Sequence, residues 1–235
     1  MFLSLLLGVA LASGGHADRS HAGTEHAAHG RGHPDHGDGA TVRHRFDDVE
    51  RWVRVFDDPA RDAWQKPDVL VAGLELAKGA TVADVGAGTG YLLPYLAAAV
   101  GREGRVLGVD IERTLVTHMR ERVRDAGLSQ VEVRLGAPDD PALIAGEVDL
   151  VLLVDTYHHI DGRVEWFRRL GRTVTPGGRL VVVDFKEGEL PVGPPPSHRI
   201  PKEQVDAELA EAGWHRVGTR DLLPYQFVHI YEVAP

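Results

Sequence analysis

Residues 148–155 read Val-Asp-Leu-Val-Leu-Leu-Val-Asp. A run this continuously apolar fits a strand buried on both faces, as happens in a parallel sheet with helices packed on each side. The surrounding pattern agrees. Strand-like runs at 81–85, 105–110, 131–135, 148–155 and 179–185 alternate with segments of helical character at 91–100, 111–127, 161–174 and 201–213. Val49, Trp52, Val53 and Phe56 give one more helix over 47–56, and Pro67 suits the first turn of another. Two closing runs, 215–222 and 226–233, flank Pro224 and read as a hairpin, whose strands must be antiparallel. The expected class is α/β: a doubly wound, seven-stranded sheet, mostly parallel, with one antiparallel strand near the edge.

Directly after the 81–85 run come Gly86, Ala87, Gly88, Thr89 and Gly90. In an open parallel sheet, ligands bind beyond the carboxyl ends of the strands. Glycines there let the backbone turn sharply and approach a ligand with no Cβ between. The helix expected from Tyr91 directs its first amides to the same place. Asp110 ends the second strand, 24 residues after Gly86, where a carboxylate can accept both hydroxyls of a ribose. Asp84 lies two residues before Gly86, where it can meet a cationic amine. The spacing is G-x-G-x-G, not the G-x-G-x-x-G of nicotinamide sites.

Composition narrows the partners. The net charge of −9 repels phosphates, which argues against nonspecific nucleic-acid or anionic-membrane binding. The absence of cysteine removes disulfides, thiolate metal ligands and a cysteine nucleophile. Residues 1–17 combine an apolar run from Phe2 to Ala12 with Gly15-His16-Ala17, the pattern of a signal peptide. This run is too short for a stable membrane span. Such a leader places the protein in the periplasm or outside the cell; without it, the expected place is the cytoplasm. Residues 18–45 are histidine-rich, hold almost nothing to bury, and read as disordered. His21, His26, His29, His33 and His36 there offer loose sites for Zn, Ni or Cu, with no fixed tetrahedral spacing. The folded domain is expected over 46–235.

The stretches "VADVGAGTGYL", "VLGVD", "DLVLLVDTYHHI" and "VTPGGRLVVVDF" resemble the ordered motifs of class I S-adenosylmethionine-dependent methyltransferases, nearest the small-molecule ubiquinone/menaquinone type. The resemblance covers roughly residues 67–233 and implies a Rossmann-like domain that uses S-adenosyl-L-methionine to methylate a small-molecule acceptor. By the same resemblance, Asp84 and the loop Gly86–Gly90 hold the methionine part, Asp110 holds the ribose, and Ile111 packs on the adenine. Asp139 replaces the more common aspartate of that motif near the adenine amino group. Asp155 and Thr156 stand beside the sulfonium and the acceptor.

Methyl transfer needs alignment and exclusion of water, and a base only where the acceptor must lose a proton. His158 and His159, just past the fourth strand, are the candidate bases. Trp64 and Gln65, ahead of the sheet, and His198 and Arg199, in a proline-rich loop, are the candidate acceptor contacts. Two rival readings remain open at this level. One is an exported metal-binding protein with a vestigial methyltransferase fold, and the other is an NAD-dependent oxidoreductase. The sequence leaves the acceptor and the oligomeric state open.

Overall fold

The computed structural model describes residues 49–234. The leader, the histidine-rich stretch and its candidate ligands His21, His26, His29, His33 and His36 lie outside the described residues. Seven strands form one sheet: β1 Thr81–Val85, β2 Arg105–Asp110, β3 Val131–Leu135, β4 Val148–Val154, β5 Val174–Phe185, β6 Trp214–Arg220 and β7 Gln226–Val233. Their spatial order is β3-β2-β1-β4-β5-β7-β6. The first five pair in parallel, and β7 runs antiparallel to both neighbours. The reversed strand therefore sits second from the edge, as the hairpin requires.

Seven helices accompany the described sheet: α1 Val49–Phe56, α2 Asp62–Gln65, α3 Pro67–Gly73, α4 Leu93–Val100, α5 Arg113–Asp125, α6 Arg163–Leu170 and α7 Lys202–Glu211. Each face of the sheet buries its own core. On one, Ala83, Leu107, Val151 and Val182 pack with Trp166 and Phe167 of α6 and Leu209 of α7. On the other, Val82, Val106, Leu150 and Val181 pack with Leu70 of α3, Leu96 of α4 and Met119 of α5. Full burial of each large apolar side chain contributes ~1.5–3 kcal/mol. β4 supplies both cores with alternate residues, which explains its unbroken apolar run.

Several boundaries differ from those expected, each for a local reason. α4 starts at Leu93 instead of Tyr91, because Gly90–Leu92 are held in a turn closed by Leu93 N–H to Gly90 O. α5 ends at Asp125, where Leu128 N–H reaches back to Val123 O and Gly127 turns with φ 64°. α6 is shorter than 161–174, since Val174 already pairs with Val148 of β4. Residues 175–178 bulge out before Arg179 pairs with Leu150, so the Pro-Gly-Gly turn lies inside β5.

Candidate active site

The strand order reverses between β1 and β4, and this is where a doubly wound sheet opens a crevice. The glycine loop leaves β1 at that point. Gly86 has φ 77°, and a Cβ on it would lie 2.3 Å from Thr156 Oγ1, just past β4. Only glycine lets these two strand ends come so close. The loop's first amides are taken up within the protein. Gly86 and Ala87 N–H bind Val109 O at 2.8 and 2.9 Å, and Gly88 N–H donates to Asp110 Oδ2 at 2.8 Å. Glu112 N–H donates to the other oxygen, Asp110 Oδ1, at 2.9 Å.

Those two bonds orient Asp110 and leave lone pairs on both oxygens. Burial pushes its carboxyl up to about 6, against the pull of the Glu112 and Gly88 amides. Asp84 is only 3% exposed, and among the described residues nothing donates a hydrogen bond to it. No sealed polar atom is left unpaired among them, so the Asp84 oxygens keep a contact with solvent at the strand end. Burial pushes Asp84 up to about 7; the Asp110 charge adds to this and the Arg61 guanidinium opposes it. A buried carboxylate with no partner, open to a crevice beside a glycine loop, fits a cationic ligand group. Ile111 follows Asp110 with 52% exposure, an apolar side chain free to cover a flat ring. Asp139 is exposed in the turn closed between Ala137 and Asp140.

The segment from Phe56 to Gln65 is tied down onto this crevice. The Phe56 ring comes to 3.4 Å from where a Cβ of Gly88 would be. Asp57 accepts from Thr89 Oγ1 at 2.8 Å and from Arg122 at 2.7 Å. Asp62 is hydrogen-bonded to the Tyr91 hydroxyl. Arg61 lies over the Tyr91 ring at 4.5 Å and near Trp64 at 5.8 Å. It also starts a closed circuit of side chains. Arg61 donates to Gln65 Oε1 at 3.1 Å, Gln65 to Gln226 Oε1 at 2.9 Å, and Gln226 to Asp155 Oδ1 at 2.7 Å. Arg61 closes the ring at 3.8 Å from Asp155 Oδ2. Gln65, expected to touch the acceptor, is fully buried inside this ring and acts as a strut. Trp64 lies 5.8 Å from Phe185 at the end of β5.

On the other side of the crevice, Asp155 follows β4 with φ 54°, a backbone rarely adopted outside glycine. Burial, then repulsion from Asp184, push its carboxyl up to about 6, while Arg61, Gln226 and His158 pull it down. The turn Tyr157–His159 is anchored from below: the Tyr157 hydroxyl donates to Glu208 of α7 at 2.6 Å, and its ring stacks on Phe167 at 5.1 Å. This fixes His158, whose Nδ1 lies 2.9 and 3.2 Å from the two oxygens of Asp184. Asp184 is held in turn by the Phe185 amide at 2.8 Å. The half-buried His159 ring sits 4.2 Å from that of His158. Arg199 departs from its expected role. Its guanidinium is taken up by the carbonyls of Pro194, Lys186 and Gly188 at 2.8, 3.3 and 2.6 Å, and so shapes its own loop. His198 is half-buried in the turn Pro196–His198 of that loop.

The structure thus brings Asp84, the glycine loop, Asp110, Asp155 and His158 to one rim. It adds Arg61, Asp184 and Gln226, which sequence reading passed over. Asp184 had a signal, a lone charge inside "VVVDF". Gln226 had none.

Comparison with known proteins finds methyltransferases. Residues 82–178 match the methyltransferase domain family. The chain is 27% identical over 128 residues to a demethylmenaquinone methyltransferase of Listeria welshimeri, covering 54% of this chain and 53% of that one. It is 26% identical over 151 residues to a ubiquinone/menaquinone biosynthesis C-methyltransferase of Klebsiella pneumoniae, 62% of this chain and 59% of that one. The chain therefore spans little more than half of these two curated relatives. A crystal structure of an S-adenosylmethionine-dependent methyltransferase from Aquifex aeolicus superposes with a TM-score of 0.75 at 29% identity, over 80% of this chain and 99% of that one.

Proposed function

We propose that this chain is a class I S-adenosylmethionine-dependent methyltransferase that transfers a methyl group from S-adenosylmethionine to a small-molecule acceptor; the methyltransferase-domain match and the similarity to the Aquifex aeolicus structure support this reading. The observation that carries this is Asp84: a buried carboxylate without a partner among the described residues, between the glycine loop and Asp110. In this reading Asp84 meets the ammonium of the methionine part, Asp110 the ribose hydroxyls, and Ile111 the adenine. S-adenosylmethionine brings a methyl carbon already activated by its sulfonium. The protein has to hold the acceptor in line with it and keep water out. Residues 56–65, tied to Thr89, Tyr91, Arg122 and Gln226, form the roof that does the second task.

Calorimetry with S-adenosylmethionine, NAD and zinc separates this reading from its two rivals. S-adenosylmethionine should bind and NAD should not. Asp110→Ala should weaken binding at least roughly tenfold with the fold intact, since a charge-assisted hydrogen bond contributes ~1.5–3 kcal/mol. Unchanged affinity removes Asp110 from the site; zinc binding alone favours the metal-binding reading. Loose Zn, Ni or Cu uptake by the histidine-rich segment, and export by the leader, remain part of the proposal on sequence pattern alone. Among the described residues no helix is long and apolar enough to cross a membrane.

A further inference from the structure

Arg61 is a cation that acts on carboxylates of both sides of the rim. Its guanidinium lies 3.8 Å from Asp155 Oδ2, just past β4, and its charge also opposes the rise of Asp84 at the end of β1. It is held in place from several sides. Its nitrogens donate to Gln65 Oε1 at 3.1 and 3.3 Å and to Phe56 O at 3.1 Å, and it lies over the Tyr91 ring at 4.5 Å. Only 14% of the side chain is exposed. A strut between Gln65 and Phe56 needs donors, which a neutral amide supplies. An enclosed positive charge is costly unless the charge itself has a use. Tyr91 directly follows Gly90, so this charge stands beside the part of the crevice where the reading above puts the methionine part of the cofactor.

That part differs in charge before and after the reaction. S-adenosylmethionine carries a positive ammonium and a positive sulfonium. When the methyl carbon leaves for the acceptor, the carbon–sulfur pair stays on sulfur. The sulfonium becomes a neutral thioether, while the ammonium is unchanged. We propose that Arg61 is a specificity-determining residue whose charge disfavours S-adenosylmethionine relative to its demethylated by-product, S-adenosylhomocysteine. The inference rests on the methyltransferase reading given above. Repulsion between Arg61 and the ammonium falls on both ligands. Repulsion between Arg61 and the sulfonium falls on S-adenosylmethionine alone. Asp155 is the carboxylate that could otherwise turn its whole charge to the sulfonium, and the guanidinium beside it offsets part of that charge. The group is mostly enclosed, so salt screens this effect less than it would at the surface. The repulsion ends once the methyl has left, so the site holds the spent ligand more firmly, relative to the fresh one, than an uncharged roof would.

Paired calorimetric titrations test this, with S-adenosylmethionine and S-adenosylhomocysteine as the two ligands and the full-length protein and its variants as hosts. In Arg61→Met the affinity for S-adenosylmethionine should rise about tenfold relative to that for S-adenosylhomocysteine. Arg61→Lys keeps the charge but not the planar fork, and should keep the normal ratio within about twofold. If Arg61→Met loosens the roof, seen as a lower midpoint in thermal unfolding, Arg61→Gln repeats the measurement with a donor left for Gln65. An unchanged ratio in both uncharged variants overturns the proposal. Equal losses for the two ligands would make Arg61 a contact to what they share, and no change in either would make it a strut. A ratio shifted as far by Arg61→Lys as by Arg61→Met overturns the role of charge. In each of these cases the methyltransferase reading stands. Binding of neither ligand to the normal protein overturns that reading as well.

Discussion

On the β1–β2 side of the rim, Asp110 is held by backbone amides and Asp84 by none of the described residues. On the β4–β5–β7 side, Asp155 is held by the Gln226 side chain, and Asp184 by the His158 ring together with the Phe185 amide. Both sides bury carboxylates, yet only the first leaves one without a protein partner. A carboxylate fixed by the main chain keeps its geometry whatever packs nearby, which suits a ligand with one invariant shape. A carboxylate fixed by side chains from distant segments can be altered piece by piece.

This contrast can be broken most forcefully at Gly86. A Cβ there meets Thr156 at 2.3 Å with φ at 77°, so Gly86→Ala should cost about 3 kcal/mol or more in urea unfolding. A variant as stable as the normal protein would mean that the main chain does not fix the first side. Gln226→Ala comes next. It strips a hydrogen bond from Asp155 and one from Gln65 in a buried setting, a loss of about 2 kcal/mol. S-adenosylmethionine affinity should fall less than with Asp110→Ala, because Gln226 bonds to neither Asp84 nor Asp110 and only Arg61 in that circuit acts on both sides; an equal loss would merge them.

Asp84→Asn should act on stability with the opposite sign, and only as pH rises above 4. The Asp84 carboxyl rises from an ordinary 3.8 to about 7 on folding. A raised carboxyl contributes its stability fully below the unfolded value and loses it as pH climbs through the folded one. The ionised form is thus a burden that builds up between pH 4 and pH 7, and Asp84→Asn should gain up to about 4 kcal/mol at pH 8 and close to nothing at pH 4. Its affinity for S-adenosylmethionine should drop about tenfold. A variant that is both less stable and fully competent to bind would show that Asp84 is a structural group.

The same contrast explains what the sequence made legible. Alternating strands and helices, the reversed penultimate strand in space, and the group Asp84, Gly86–Gly90 and Asp110 all follow from short-range spacing, because main-chain turns are encoded by the residues that make them. The Arg61–Gln65–Gln226–Asp155 ring follows from no local pattern. Its members come from three separate segments of the chain, and polar residues such as Gln65 and Gln226 look like surface residues until tertiary packing closes over them. Arg199 misled for the converse reason: a cation in a proline-rich loop resembles a ligand contact, whereas three carbonyls of its own loop were the nearer acceptors.

Because β7 runs backward, its first residue arrives at the same rim as the last residues of the parallel strands, with Gln226 opposite Phe185. Gln65 must then wait for a partner 161 positions later. During synthesis at about 5–20 residues per second, the roof segment emerges many seconds before the strand that fastens it. A nascent chain can form its glycine loop and β1–β2 pairing early, but it cannot lock the acceptor side until nearly all of the domain has left the ribosome. Completion of the site thus waits for β7, and a chain stalled short of residue 226 lacks the fastener that holds its roof.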